Sequence, residues 1–262
     1  MRSQTFKALM AAAVLPPAAL AHYNFESLIV NGQGTDPYQY VRQTTNSNSP
    51  VEDVTSPAMV CNQGGNDADI RAKTQTHDVL PGDEVGFDIN SELGHPGPLA
   101  VYMSKAPDGT AASDYTGDGK WFKVYSATTS SITEEGLQWA SFPNSVGAQN
   151  FTFTLPEDLA PGEYLMRGEH IGLHGAGSFG GAQFYMGCAQ LKVGGSGKGV
   201  PEPTVSIPGV YDGNESGILI NIYYPAPTSY DAPGPATWPD ACEDHTVNLW
   251  GQESDGDCTA SQ

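Results

Sequence analysis

Positive charge is scarce in this 262-residue chain: 11 Lys and Arg stand against 30 Asp and Glu, a formal charge of −19. A polyanion without basic clusters is repelled by phosphate backbones and by anionic lipid, which excludes nucleic acid and membrane surfaces as partners. Long hydrophobic runs are missing too. The apolar stretch at residues 8–21 falls short of the roughly 20 residues that span a bilayer. Charged residues make up only 16%, and 31 Gly and 20 Pro interrupt the chain too often for long helices. The pair His170 and His174 has the spacing of a helical zinc motif but lacks the Glu after the first His. In an extended segment those two rings stand about 13 Å apart, so at most one of them serves a given metal. Gly175 to Gly181 bends around Ser178, but Ala176 replaces the first Gly of a nucleophile elbow and no helix pattern follows, which argues against a serine hydrolase.

Arg2 and Lys7 precede the apolar run, which closes on Ala19-Leu20-Ala21, a small-residue cleavage signature. Residues 1–21 are therefore expected to be a signal peptide, and the protein to be secreted. Loss of Arg2 and Lys7 takes the side-chain charge from −19 to −21. The mature chain would begin at His22, whose free α-amine and imidazole offer one metal two nitrogens in a compact chelate. Four cysteines in an exported chain imply two disulfides with three possible connectivities. Cys242 and Cys258 are local partners, which leaves Cys61 with Cys188, each link contributing roughly 3–5 kcal/mol in the chain-entropy picture. Asn150 and Asn214 open N-glycosylation sequons.

Apolar and polar residues alternate over Phe25–Val30, Val85–Asn90, Leu99–Ser104, Trp121–Ser126, Phe151–Leu155 and Glu163–Arg167, with turn signals between, and Ala182–Val193 reads as a further strand. The pattern predicts an all-β fold: an immunoglobulin-like or fibronectin-like two-sheet β-sandwich with long surface loops and few short helices. Residues 22–262 are expected to form a single domain. The segment from about 200 to 262 holds eight prolines between Pro201 and Pro239 and little periodic pattern, so it is expected to wrap over the sandwich as a loop.

His95 stands in Leu93-Gly94-His95-Pro96-Gly97-Pro98, where glycines and prolines fix the backbone and present the imidazole on a rigid loop. In Ala182-Gln183-Phe184-Tyr185-Met186-Gly187-Cys188 the two-residue period puts Gln183 and Tyr185 on one face, an amide beside a phenol. Phe184, Met186 and Cys188 occupy the other face, which reads as core.

Together, His22, the Gly94–Pro98 loop, Gly117-Asp118-Gly119-Lys120-Trp121-Phe122-Lys123, His174-Gly175-Ala176-Gly177-Ser178 and Gly180–Tyr185 leading into Cys188-Ala189-Gln190 resemble the fungal lytic polysaccharide monooxygenases of auxiliary activity family 9, formerly glycoside hydrolase family 61. The resemblance implies one copper ion held by the His22 amine, the His22 imidazole and the His95 imidazole, with Tyr185 axial. Three nitrogens in a tetragonal arrangement suit Cu(II). It further implies that His174 and Gln183 hydrogen-bond oxygen species near the metal. The family reaction reduces the copper, activates O2 or H2O2 with electrons from an external donor, and cleaves β-1,4-glucan (cellulose) by oxidation at carbon 1 and/or carbon 4. A polymer surface calls for exposed aromatic rings, for which Tyr230 is the first candidate, followed by Tyr38, Tyr40 and Tyr224. A monomer without a carbohydrate-binding module is expected. The alternative is a non-catalytic extracellular copper-binding protein on the same scaffold. The family's Arg-His-Glu run reads Arg167-Gly168-Glu169-His170 here, so the resemblance gives His170 no role.

Overall fold

Strand β1 (Phe25–Val30) starts three residues after His22, and its neighbours decide where that end of the chain sits. β1 pairs antiparallel with the two-residue β2 (Gln33–Gly34) and with β4 (Glu84–Ile89), and β9 (Asn150–Thr154) completes a sheet in the order β2-β1-β4-β9. The second sheet orders β3 (His77–Val79), β11 (Gln183–Val193), β10 (Gly162–Gly172), β5 (Leu99–Lys105) and β6 (Trp121–Ala127). A hairpin of β7 (Thr129–Thr133) and β8 (Gly136–Trp139) stands beside them. Among the described residues helix is confined to α1 (Ala68–Lys73) and to 3-10 turns at Pro57–Met59 and Pro143–Ser145. The structure, a computed structural model, describes residues 22–252; the expected signal segment and Cys258 lie outside the described residues.

This is the two-sheet β-sandwich that the alternation predicts. All seven predicted strands form. The segment expected at Glu163–Arg167 runs on to Gly172 as β10, because its second half is buried on both faces and shows no apolar-polar alternation. The short strands β2 and β3 and the hairpin β7-β8 carry too little pattern to be read from sequence.

Between the sheets lies a core that includes Phe25, Phe87, Phe151, Met166, Tyr185 and Leu191. The sequence assigned the core to the other side of β11. That side is buried as well, but as a second core: Phe184, Met186 and Cys188 pack with Trp121, Leu165, Ile207, Tyr211 and Ile218 under the loops and the C-terminal segment. Both faces of β11 are therefore interior. The proline-rich segment lies along the β6 edge through the bridges Trp121–Val205, Lys123–Thr237 and Ala127–Asp244. Residues Val41 and Val51 bridge to Ala189 and Phe184 on the free part of β11, so both edges of the larger sheet are covered.

Cys61 and Cys188 are joined by a disulfide, with Cα atoms 5.2 Å apart. Cys242 is also disulfide-bonded. The predicted sequon at Asn214 is exposed, whereas Asn150 is half-buried and accepts a hydrogen bond from the Trp250 amide at 2.7 Å.

Two glycines seat the amino-terminal strand. A Cβ on Gly187 would stand 2.7 Å from the Phe25 Cβ, and one on Gly168 would stand 2.9 Å from the Phe25 ring. Their bare backbones let Phe25 of the first sheet sit directly on β10 and β11 of the second. Residues 22–24 are thereby carried to the ends of those strands.

Candidate metal centre

The end of β10, the start of β11 and the 93–98 loop meet at the amino terminus. The register pairs His170 with Tyr185 and Gly172 with Gln183, so His174, two residues beyond the strand, emerges next to Gln183. The 93–98 loop is stitched to the same strand end: Ile171 N donates to Pro98 O at 3.1 Å and Leu173 N to Pro96 O at 2.9 Å. That places His95 over Gly172, where an added Cβ would meet the His95 ring at 3.3 Å and His174 Nδ1 at 3.4 Å. With no side chain at 172, His95 and His174 stack with ring centroids 3.8 Å apart and planes 21° from parallel.

Around this stack stand the other predicted residues. The His22 ring lies 6.3 Å from His95 and 6.2 Å from Tyr185, and His95 lies 5.7 Å from Tyr185. His22 is exposed, His95 is 9% exposed, Tyr185 is fully buried, and His174 and Gln183 are half-buried. Tyr185 Oη donates to Gln183 Oε1 at 2.8 Å, and Gln183 Nε2 donates to Glu52 Oε1 at 3.2 Å. The five predicted site residues thus converge.

The electrostatics favour neutral imidazoles. Burial pushes His95 down to about 4, with His174 and His22 adding smaller effects in the same direction. Burial and His22 also lower His174, against a raising effect from Glu52. Burial, then Glu52, holds the Tyr185 phenol well above its ordinary value, so it stays protonated. A neutral phenol whose O–H donates to Gln183 Oε1 keeps an oxygen lone pair that a metal could share weakly.

His95 Nε2 and His174 Nδ1 are buried with no hydrogen-bond partner. Buried imidazole nitrogens are ordinarily paired, so an unpartnered pair within one site is the state expected of nitrogens reserved for a ligand. Among the described residues no three His, Cys, Asp or Glu side chains converge as a metal-ligand set. An ion between His22 and His95 therefore needs a further donor of another kind, which the α-amine released by cleavage after Ala21 would supply. The donor set fits copper: nitrogen ligands, a neutral oxygen, and no thiolate.

Four further residues bear on the site: the sequence reading left His170 without a role and did not single out Tyr23, Ser141 or Glu52. Tyr23 stacks on Tyr185 with centroids 4.2 Å apart. Tyr23 Oη is hydrogen-bonded to His170 Nδ1, and His170 Nε2 lies 3.3 Å from Ser141 Oγ. Both nitrogens of His170 are thus occupied within the protein. Glu52, the fourth, is tied to Gln183. Adjacency to His22 and burial within an apolar stretch could have drawn attention to Tyr23; nothing local marks Ser141 or Glu52.

The aromatic candidates divide. Tyr224 is 85% exposed, and its segment is anchored beside His174 by a hydrogen bond from Ile220 N to Ala176 O at 2.9 Å. Tyr223 beside it and Phe179, which the sequence did not single out, are 62% and 66% exposed. Tyr230 is half-buried: its ring stands edge-on to Trp139 at 4.8 Å and its hydroxyl donates to Gly217 O at 2.9 Å, so it offers no open face. Tyr38 is half-buried with a left-handed φ of 58°. Tyr40 packs on His77 at 4.7 Å and borders Gln190, about 17 Å along β11 from Tyr185 by the strand rise.

The family model for Auxiliary Activity family 9 (formerly GH61) matches residues 22–230. The chain is 49% identical over 234 residues to AA9 family lytic polysaccharide monooxygenase C of Emericella nidulans, covering 88% of this chain and 97% of that one. It is 47% identical over 227 residues to AA9 family lytic polysaccharide monooxygenase H of Malbranchea cinnamomea, covering 86% and 95%. Among solved structures, a cellulose-active polysaccharide monooxygenase from M. thermophila superposes with a TM-score of 0.68 at 29% identity, covering 83% of this chain and 99% of that one.

Proposed function

The chain belongs to auxiliary activity family 9, the copper-dependent lytic polysaccharide monooxygenases, and from that membership we propose that His22, His95 and Tyr185 hold one copper ion with which the secreted protein cleaves cellulose or a related β-1,4-glucan. The observation that carries the assignment is the buried, unpartnered His95 Nε2, in a ring whose centroid lies 6.3 Å from that of His22. When bound, copper supplies one-electron redox chemistry and activation of O2 or H2O2. Each residue around it has a separable task. His22 contributes its amine and imidazole, His95 its Nε2, and Tyr185 a neutral phenol oxygen. His174 and Gln183 stand at the rim, where the imidazole and the remaining amide N–H can hydrogen-bond an oxygen species without competing for the metal.

Hydroxylation at carbon 1 or carbon 4 of the glucan inserts one oxygen atom into a C–H bond, after which the glycosidic bond breaks by elimination. With O2 the second oxygen atom leaves as water, using two electrons from the external donor and two protons; with H2O2 no further electrons are needed. No carboxylate pair at hydrolase spacing is required. Exposed Tyr224, joined by Phe179 and Tyr223, offers ring faces to a flat polymer beside His174, and a relative described as cellulose-active makes cellulose the first substrate to try. Residues 1–21 are assigned as a removable signal peptide and 22–262 as one copper domain with a proline-rich segment from about 200, acting as a monomer.

The test incubates copper-loaded protein, shown by intact mass to begin at His22, with cellulose and ascorbate. Aldonic acids or carbon-4 ketoaldoses are the expected products by mass spectrometry. Their absence across several β-glucans would overturn the proposal, as would a mature chain that keeps residues before His22.

A further inference from the structure

Once cleaved, His22 would be the last residue of a chain end, and chain ends fray unless something ties them down. The His22 side chain is exposed, and its carbonyl receives one hydrogen bond, from Asn48 Nδ2 at 3.3 Å. Tyr23 is the opposite case. It is fully buried, stacks on Tyr185 at 4.2 Å, and lies 6.3 Å from His95 and 5.7 Å from His170 by ring centroids.

The directions of its hydrogen bonds follow from Ser141. The single Ser141 hydroxyl proton goes to Gly97 O at 2.7 Å, so Ser141 Oγ accepts from His170 Nε2–H. His170 Nδ1 is then the acceptor, and the Tyr23 hydroxyl donates to it. The chain Tyr23 to His170 to Ser141 to Gly97 runs in one sense, each bond polarising the next. It ends on the 93–98 loop that carries His95. One buried network therefore links the residue after the terminal His, the loop of the second His, and, by stacking, the Tyr185 phenol.

We propose that Tyr23 and His170 form a latch that positions the copper ligands: it pins the backbone of His22, fixes the plane of Tyr185, and ties both to the His95 loop through Ser141 and Gly97. The inference rests on the copper assignment above and adds to it the residues that pre-organise the site. Tyr23 and His170 are positioning residues, not ligands, because every polar atom they would offer a metal is already committed within the network.

The test uses protein processed to His22 and the variants Tyr23→Phe, His170→Leu, their double, and His170→Asn, whose amide restores an acceptor near the place of Nδ1. Copper(II) affinity by calorimetry and the electron paramagnetic resonance spectrum are read on protein shown to be folded. Each single variant is expected to weaken copper binding by about 10- to 100-fold, the usual effect of losing an outer partner, and to shift the copper hyperfine splitting. The double should be no worse than the weaker single, since both remove one shared interaction. His170→Asn should recover most of the loss. Unchanged affinity and spectra, with only a lower unfolding temperature, would overturn the latch. If the unaltered protein binds no copper, the copper assignment fails by itself, and the latch is decided on metal-free protein. There the Tyr185 ring should flip about tenfold faster or more by NMR in Tyr23→Phe and His170→Leu, and unchanged flipping would overturn the latch.

Discussion

Two buried polar clusters lie a few residues apart, one on strand β10 and one just past its end, and they are finished in opposite ways. Around Glu169 the groups are matched. Arg167 Nη2 meets Glu169 Oε2 at 2.6 Å, Tyr211 donates to Glu169 Oε1 at 2.6 Å, and Tyr102 donates to the Tyr211 oxygen at 2.8 Å. Arg167 Nε reaches the carbonyls of Met59 and Val60, each at 3.0 Å, and Arg167 Nη1 is the atom left over. Just beyond the nearer end of the strand, His95 Nε2 and His174 Nδ1 are buried with no partner. Each orphaned polar group costs about 1–3 kcal/mol. The same fold satisfies both oxygens of a buried carboxylate yet leaves one nitrogen on each of two imidazoles unpaired. The matched cluster holds the sheet to its covering loops; the open one waits for a ligand.

Breaking the matched cluster should have the largest effect on stability. Glu169→Ala leaves the Arg167 charge buried and unpaired, which is expected to cost about 3–5 kcal/mol in urea unfolding. An unchanged midpoint would mean that the cluster is solvated and the contrast false.

The open cluster should respond the other way round. Replacing His95 by Leu removes an unsatisfied group, so the metal-free variant is expected to stay within about 1 kcal/mol of the unaltered protein. Copper at a hundred times its dissociation constant should stabilise the unaltered protein by about 2.7 kcal/mol, and the His95→Leu variant far less. Thermal unfolding with and without copper reads both. Equal stabilisation of the two proteins would remove His95 from the ligand set.

The same contrast explains what sequence could show. His22, His95, Gln183 and Tyr185 were legible because each sits in a local pattern: a cleavage signature, a Gly-Pro loop, a two-residue period. The larger strands were legible for the same reason. Ranking Tyr230 ahead of Tyr224 reversed their exposure, since both stand in proline-rich loop and only packing against Trp139 turns one inward. Ser141 and Glu52 come from loops distant in the chain, and no local pattern encodes which loop closes over which strand. The second core hid in plain alternation: with both faces of β11 covered, periodicity could not tell which face looks between the sheets.

Acidity offers the finest test of the difference. Burial pushes His95 down to about 4, whereas an unfolded His titrates near 6.5. Between those values the unfolded chain takes up a proton that the folded site refuses, so the metal-free protein loses stability as pH falls through the window. The slope from one such group is at most about 1.4 kcal/mol per pH unit. His170, pushed down to about 3 by burial and then by His95, adds a second slope that reaches lower. The metal-free His95→Leu variant should keep the His170 slope and lose the other, a difference measurable by urea unfolding at several pH values from 4 to 6.5. Identical slopes would mean that His95 is protonated in the folded protein over this range. An imidazole that stays neutral to about 4 keeps its lone pair in a mildly acidic medium, where an exposed one would surrender it to a proton. Leaving His95 buried and unpartnered thus costs the metal-free fold some acid stability and preserves, over the same pH range, the nitrogen that the metal would use.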